Sequence, residues 1–231
     1  MSCEIFYQRT IETVFAPQFI WLEHHDTMEL KFLAVAIALL SLWATQGLAP
    51  VSDSDVLSEI SCPGSESFIH ASCKYVVQVN DNCKNVKEEM FLRVNGQKTK
   101  KWHDAHNNGV YTVLEGDEGS STVLMKRRTG NDKYTDKVLF TFQETSDNEC
   151  VLKMCSESQV FSVGDFSTNF CNMYLMFCGK SDGCPYVKHS FTYKELAVKP
   201  SIGASTTKSM CLPEAHATML NFLAEKLRPF V

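Results

Sequence analysis

The sequence predicts an all-β domain stapled by disulfides, on three observations. Eight short runs are rich in β-branched and aromatic residues, turn-forming residues separate them at regular intervals, and cysteines are dense after an apolar leader. Eight strands with short connections describe either an antiparallel sandwich or a closed barrel.

The leader comes first in the chain. Residues 32–44 read FLAVAIALLSLWA, preceded by Lys31 and followed by small residues, which is the pattern of a signal peptide. A run this short cannot cross a hydrocarbon core of about 30 Å, which takes roughly 20 helical residues. Residues 1–27 are polar, aromatic and acidic, whereas Met28-Glu29-Leu30-Lys31 lies directly before the apolar run. The expected organisation is a non-native extension over 1–27, a signal peptide over 28–47 and a single domain over 48–231, secreted and extracellular.

The cysteines follow from that compartment. Cys62, Cys73, Cys83, Cys150, Cys155, Cys171, Cys178, Cys184 and Cys211 all lie beyond the leader, and only Cys3 precedes it. In an oxidising environment these nine are disulfide candidates, and an odd count leaves one thiol free or paired with another chain. Their spacings, Cys150-x4-Cys155, Cys171-x6-Cys178 and Cys178-x5-Cys184, include no CxxC pair, so no metal site is expected.

The eight runs are KYVVQV (74–79), MFLRV (90–94), VYTVL (110–114), STVLMK (121–126), KVLFTFQE (137–144), ECVLKM (149–154), FCNMYLMFC (170–178) and SFTYKEL (190–196). Asn95-Gly96, Asn108-Gly109, Gly116 to Gly119, Thr129 to Asp132 and Ser181-Asp182-Gly183 supply turns between them. Before the first run, residues 50–72 suggest one helical turn or an irregular lead-in. After the last, Met219, Leu220, Leu223 and Leu227 recur at helical spacing up to Pro229, which predicts a C-terminal amphipathic helix packed on the outside of the sheet.

Charge excludes more than it suggests. The chain carries a formal −5, but five acids and two bases precede Leu48, so the domain is close to neutral and offers nucleic acid no electrostatic footprint. Lys98, Lys100, Lys101 and the run Lys126-Arg127-Arg128 read as solvated turn residues. There is no HExxH and no phosphate-cradling glycine loop, so neither an enzyme nor a cofactor is expected. The tightest polar constellation is Trp102-His103-Asp104-Ala105-His106-Asn107-Asn108. His103 and His106 offer base or ligand chemistry there, although a polar turn ending at Gly109 accounts for the composition more simply.

Two longer blocks, ECVLKMCSESQVFSVGDFSTNFCNMYLMFCGKSDGCP and NVKEEMFLRVNGQKTKKWHDAHNNGVYTVLEG, resemble the tick salivary lipocalins over roughly Lys74 to Cys211. The Gly-x-Trp element of lipocalins is missing, as is the Asp-Ala-Trp element of the histamine-binding members. The resemblance implies an eight-stranded antiparallel lipocalin barrel closed by a C-terminal α-helix, with a pocket inside. It further implies sequestration of a small host mediator, a biogenic amine such as histamine or serotonin, or an eicosanoid or fatty acid. Amine capture needs carboxylates and aromatic faces in a dry pocket; lipid capture needs a long apolar cavity with a basic or hydroxyl group at its mouth.

With strand alternation placing Val138, Phe140 and Phe142 on one side, and Tyr111 and Glu115 on one side, the candidate ligand-binding residues are Trp102, Tyr111, Glu115, Phe140, Phe142 and Tyr174. The family pattern also implies a bridge between the 150–155 strand and residues 171–184, and one from Cys83 or Cys73 to Cys211. Two rival readings stand beside this one. In the first, Phe140, Phe142, Tyr174 and Met176 fill the barrel and the outer surface acts on host proteins such as complement or chemokines. In the second, the scaffold carries a secreted hydrolase using His103 or His189, or a protease inhibitor presenting the loop Gly179 to Pro185.

Overall fold

A computed structural model describes residues 52–212. The extension, the signal peptide and the predicted C-terminal helix lie outside the described residues. The elements run α1 (Asp53–Ser58), β1 (Ser72–Val79), α2 (Cys83–Thr99), β2 (Val110–Glu115), β3 (Thr122–Arg128), β4 (Thr135–Ser146), β5 (Glu149–Ser158), α3 (Thr168–Tyr174), a 3-10 turn (Lys180–Asp182), β6 (Tyr193–Pro200) and α4 (Lys208–Cys211). The strands form one antiparallel sheet in the order β2-β3-β4-β5-β1-β6.

The expected eight-stranded closed barrel is therefore corrected to an open six-stranded sheet with β2 and β6 at its edges. Two of the eight runs are not strands. MFLRV belongs to α2, whose start is set eight residues earlier, where the Asn82 side chain accepts from Asn85 N at 2.8 Å. Val86, Met90 and Arg93 then repeat at helical, not alternating, spacing, and all three are buried. FCNMYLMFC becomes α3 and the turn after it, with every residue buried. A continuous apolar run carries no period, so a helix enclosed on all sides and a central strand look alike in it.

Alternation holds in the strands themselves. Val123, Met125, Val138, Phe140, Leu152, Met154, Tyr75 and Val77 face one side, where α2 and α3 cover them. On the other side, α1 and the residues after it bring Leu57 and Ile60 over Val76, Cys155 and Ala197. The β2 edge is capped from α2: Tyr111 N donates to Gln97 Oε1 at 2.8 Å and Gln97 Nε2 donates to Tyr111 O at 3.1 Å, so one side chain stands in for a neighbouring strand.

A buried ion pair ties α2 to the segment behind it. Glu89 and Arg93 are fully buried, with Arg93 Nε 2.8 Å from Glu89 Oε1. Glu89 also accepts from the backbone of Val187, Lys188 and His189, and Arg93 donates to Leu175 O and Cys178 O. Burial raises the Glu89 carboxyl, but these donors outweigh it and hold the group below its ordinary value.

The disulfides are Cys62–Cys155, Cys83–Cys150, Cys171–Cys211 and Cys178–Cys184, while Cys73 is buried and unpaired among the described residues. The connectivity implied by the resemblance is corrected in each case. Cys150 and Cys155 lie an odd number of residues apart on β5, so they face opposite sides of the sheet and reach different partners, α2 and the lead-in. Cys211 bonds α3, because residues 170–178 turn into a helix beneath the chain's exit. Four bridges fit an oxidising environment, and no helix among the described residues is long and apolar enough to cross a membrane.

Candidate functional site

A cleft of about 630 Å³ opens at one end of the sheet, within the roughly 300–1,000 Å³ of typical ligand pockets. Four pieces meet there: the turn holding His106 and Asn107, the β3–β4 turn with Tyr134, the adjoining ends of β4 and β5 at Asp136 and Ser158, and the loop Phe161 to Thr168.

Close backbone approach assembles the turns. A Cβ on Gly130 would fall 2.5 Å from the backbone oxygen of Asn107, so glycine there lets the two turns meet, and one on Gly109 would push the Arg127 guanidinium aside. The loop end is strained: Phe166 and Ser167 both take the left-handed region, at φ 45° and 67°. Consecutive non-glycine residues in that region are costly and concentrate at ligand clamps. Ser167 is the N-cap of α3 but makes no capping bond; Asp165 accepts from Asn169 N instead, at 3.1 Å to each oxygen.

The floor is a buried polar network. Arg127 Nε donates to Asp104 Oδ2 at 2.8 Å, Nη2 donates to Asn107 Oδ1 at 2.5 Å, and Nη1 lies 3.9 Å from Asp136 Oδ2 without a hydrogen bond. Asp136 accepts from Ser158 Oγ at 2.7 Å and from Asn172 Nδ2 at 2.9 Å. Asn169 Nδ2 links Asp165 to Ser158. Two buried carboxylates, Asp104 and Asp136, thus flank one buried guanidinium, a third, Asp165, joins the network through Asn169, and no lysine or arginine lines the cleft. Burial, with lesser help from Asp136, raises the Asp165 carboxyl to about 6. Burial pulls Arg127 down, but Asp104 and Asp136 more than restore it and keep it charged.

His106 Nδ1 lies 2.7 Å from Met210 O, and a carbonyl only accepts, so Nδ1 carries the proton. Nε2 then faces Thr168 Oγ1 at 3.4 Å. Burial lowers the His106 pKa, so the ring is neutral at pH 7. Above this floor Tyr134, Phe161, Val163 and Phe166 stand exposed as an apolar rim. The arrangement offers excess negative charge below and aromatic faces above.

The residues singled out by sequence gather elsewhere. Trp102, Tyr111, Phe140, Phe142 and Tyr174 are all buried in the core between the sheet and the helices. Trp102 Nε1 donates to Pro185 O, Tyr111 Oη donates to Asn172 O, and Tyr174 stacks on Phe170 at 5.6 Å. Glu115 is exposed at the end of the edge strand. None of the six lines the cleft. From the sequence-level constellation the structure brings Asp104, His106 and Asn107 to the site, while His103 is exposed. Arg127, read as solvated, is fully buried, because alternation puts it on the inner face with Val123 and Met125. Asp165 and Phe166 gave one local signal, since Asp165-Phe166-Ser167-Thr168-Asn169 is a capping sequence before an apolar run, whereas Asp136 gave none. No protein-family model matches the chain, and no curated protein matches it in sequence.

Proposed function

We propose that this chain is a secreted, non-enzymatic binding protein, akin to the tick salivary lipocalins its cysteine-rich block resembles, and that it sequesters a small amine mediator. The ligand's place would be the end cleft, not a barrel interior, since the inner face of the open sheet is packed with side chains. One observation carries the choice of an amine over an eicosanoid: the floor holds Asp104, Asp136 and Asp165 against Arg127 alone, below an aromatic rim. Desolvated carboxylates attract a cation strongly, and exposed rings add cation–π contacts. A lipid carboxylate would meet like charge with no lysine or arginine in the lining.

The filled interior favours a second reading, in which the outer surface acts on host proteins. Calorimetry on the oxidised domain with histamine, serotonin and arachidonate separates the two. The amine reading expects one-to-one binding of an amine, weakened at least tenfold by Asp165→Ala, and no binding of arachidonate. Arachidonate binding alone would turn the reading to lipids, and a folded protein that binds none of the three would leave the outer-surface reading.

A further inference from the structure

The cleft opens onto six apolar side chains that stand exposed. Phe161, Val163 and Phe166 line it, and Phe68, Ile69 and Ile202 continue the surface beyond its rim, with Phe68 99% exposed and Ile202 96%. Three loops carry these residues and are bonded to one another: Ser162 N donates to Ile69 O at 3.2 Å, Ala71 N to Ser162 Oγ at 2.9 Å, and Asp165 N to Gly203 O at 3.4 Å. A Cβ on Gly203 would fall 2.5 Å from Val163 O, so the second and third loops are in backbone contact. Phe166 is 76% exposed at φ 45°, a conformation that costs a non-glycine residue free energy and recurs at ligand clamps. Scattered exposed apolar residues are ordinary, whereas a contiguous group beside a pocket marks a binding groove.

Charge on the floor and apolar surface at the mouth are joined through Asp165. Its carboxylate lines the cleft, Phe166 follows it in the chain, and its amide is bonded to the residue after Ile202. Asp136 lines the same floor, and none of the described residues lining the cleft is a lysine or arginine. A molecule seated here meets carboxylates at one end and exposed apolar side chains at the other. At about 630 Å³ the cleft takes a drug-sized molecule, more than a bare ammonium group fills. A fatty acid has the apolar part but brings its own negative charge to Asp136 and Asp165, and a short polar amine leaves the apolar surface in water. Both requirements are met by one class of ligand, an ammonium ion carrying a long apolar tail.

We infer that the cleft takes an amphiphilic amine, its ammonium over Asp136 and Asp165 and its apolar tail along Phe161, Val163 and Phe166 toward Phe68, Ile69 and Ile202. The inference rests on the amine reading of the cleft and adds the tail. Burial of that tail contributes up to about fourfold in affinity per methylene.

Calorimetry of the oxidised domain with butylammonium, hexylammonium, octylammonium and octanoate, each below its micelle-forming concentration, tests it. Affinity is expected to rise at least about tenfold from butyl- to octylammonium, given four added methylenes, and octanoate is expected not to bind. Phe68→Ser/Ile202→Ser replaces two almost fully exposed side chains and leaves the core intact. It should weaken octylammonium at least threefold and leave butylammonium unchanged, whereas Asp165→Ala should weaken both by the same factor. Ammonium binding that depends on Asp165 but not on tail length would overturn the inference and leave the amine reading standing. Octanoate binding as tightly as octylammonium, or no binding of any of the four, would overturn both. A gain with tail length that the paired serines do not reduce would put the tail elsewhere and overturn the inference too, as would a ligand-independent dimer that the same variant dissociates.

Discussion

Asp165 is 5% exposed and its two oxygens accept from Asn169, yet burial still holds its carboxyl near 6 against an ordinary 3.8. The folded chain therefore binds this proton more tightly than the unfolded one. Stability from the group is complete below about pH 4 and is lost as pH rises through about 6, to the extent of about 3 kcal/mol. Asp165→Asn removes that dependence, so urea midpoints should fall further for the parent than for the variant between pH 4 and pH 7. Parallel profiles would mean that the site is solvated. The same ionisation prepares the cleft for a cation, and amine affinity should rise over that pH range in the parent only.

At the scale of elements, the Glu89–Arg93 pair decides how α2 sits against residues 175–189. Removing one partner of a buried pair strands the other charge and typically costs about 3–5 kcal/mol. Glu89→Ala strands Arg93 and three backbone amides together, so its urea stability should drop by at least that much. Glu89→Leu combined with Arg93→Met should recover part of the loss, because the buried charge is gone. A cost for Glu89→Ala below about 1 kcal/mol would show that water replaces the carboxylate. Glu89 is also a reason for acid lability: its carboxyl is held down, so its contribution is present above the ordinary carboxylate range and is lost as pH falls through the folded value.

Across the whole molecule the bridges differ in what they close. Cys62–Cys155 spans 93 residues and Cys178–Cys184 spans 6. Loop-closure entropy assigns about 4.5 kcal/mol to the first and about 2 kcal/mol to the second. Cys62→Ser/Cys155→Ser should therefore lose roughly twice the stability of Cys178→Ser/Cys184→Ser, read as the difference in urea midpoint at constant slope. Equal losses would indicate that strain or residual unfolded structure, not loop length, governs the bridges. Reduction of all four should unfold the domain, since their sum is comparable with the 5–15 kcal/mol of a typical fold.

By itself the sequence determined the β-rich class, six of the strands, the abundance of disulfides and the near-neutral charge. Each of these rests on local chemistry: alternation in β3 to β5, glycine turns, and cysteine density. Only the tertiary structure decided that 90–94 and 170–178 are helical, because a five-residue window hides the Asn82 cap and an unbroken apolar run has no period. It also decided the site. Trp102 and Tyr174 look like ligand aromatics in sequence but fill a core, whereas Asp136, Asp165 and Arg127 become a charged floor only when β3, β4, β5 and the 161–168 loop end side by side. Burial and charge balance are properties of what surrounds a residue in space, and no local pattern encodes them.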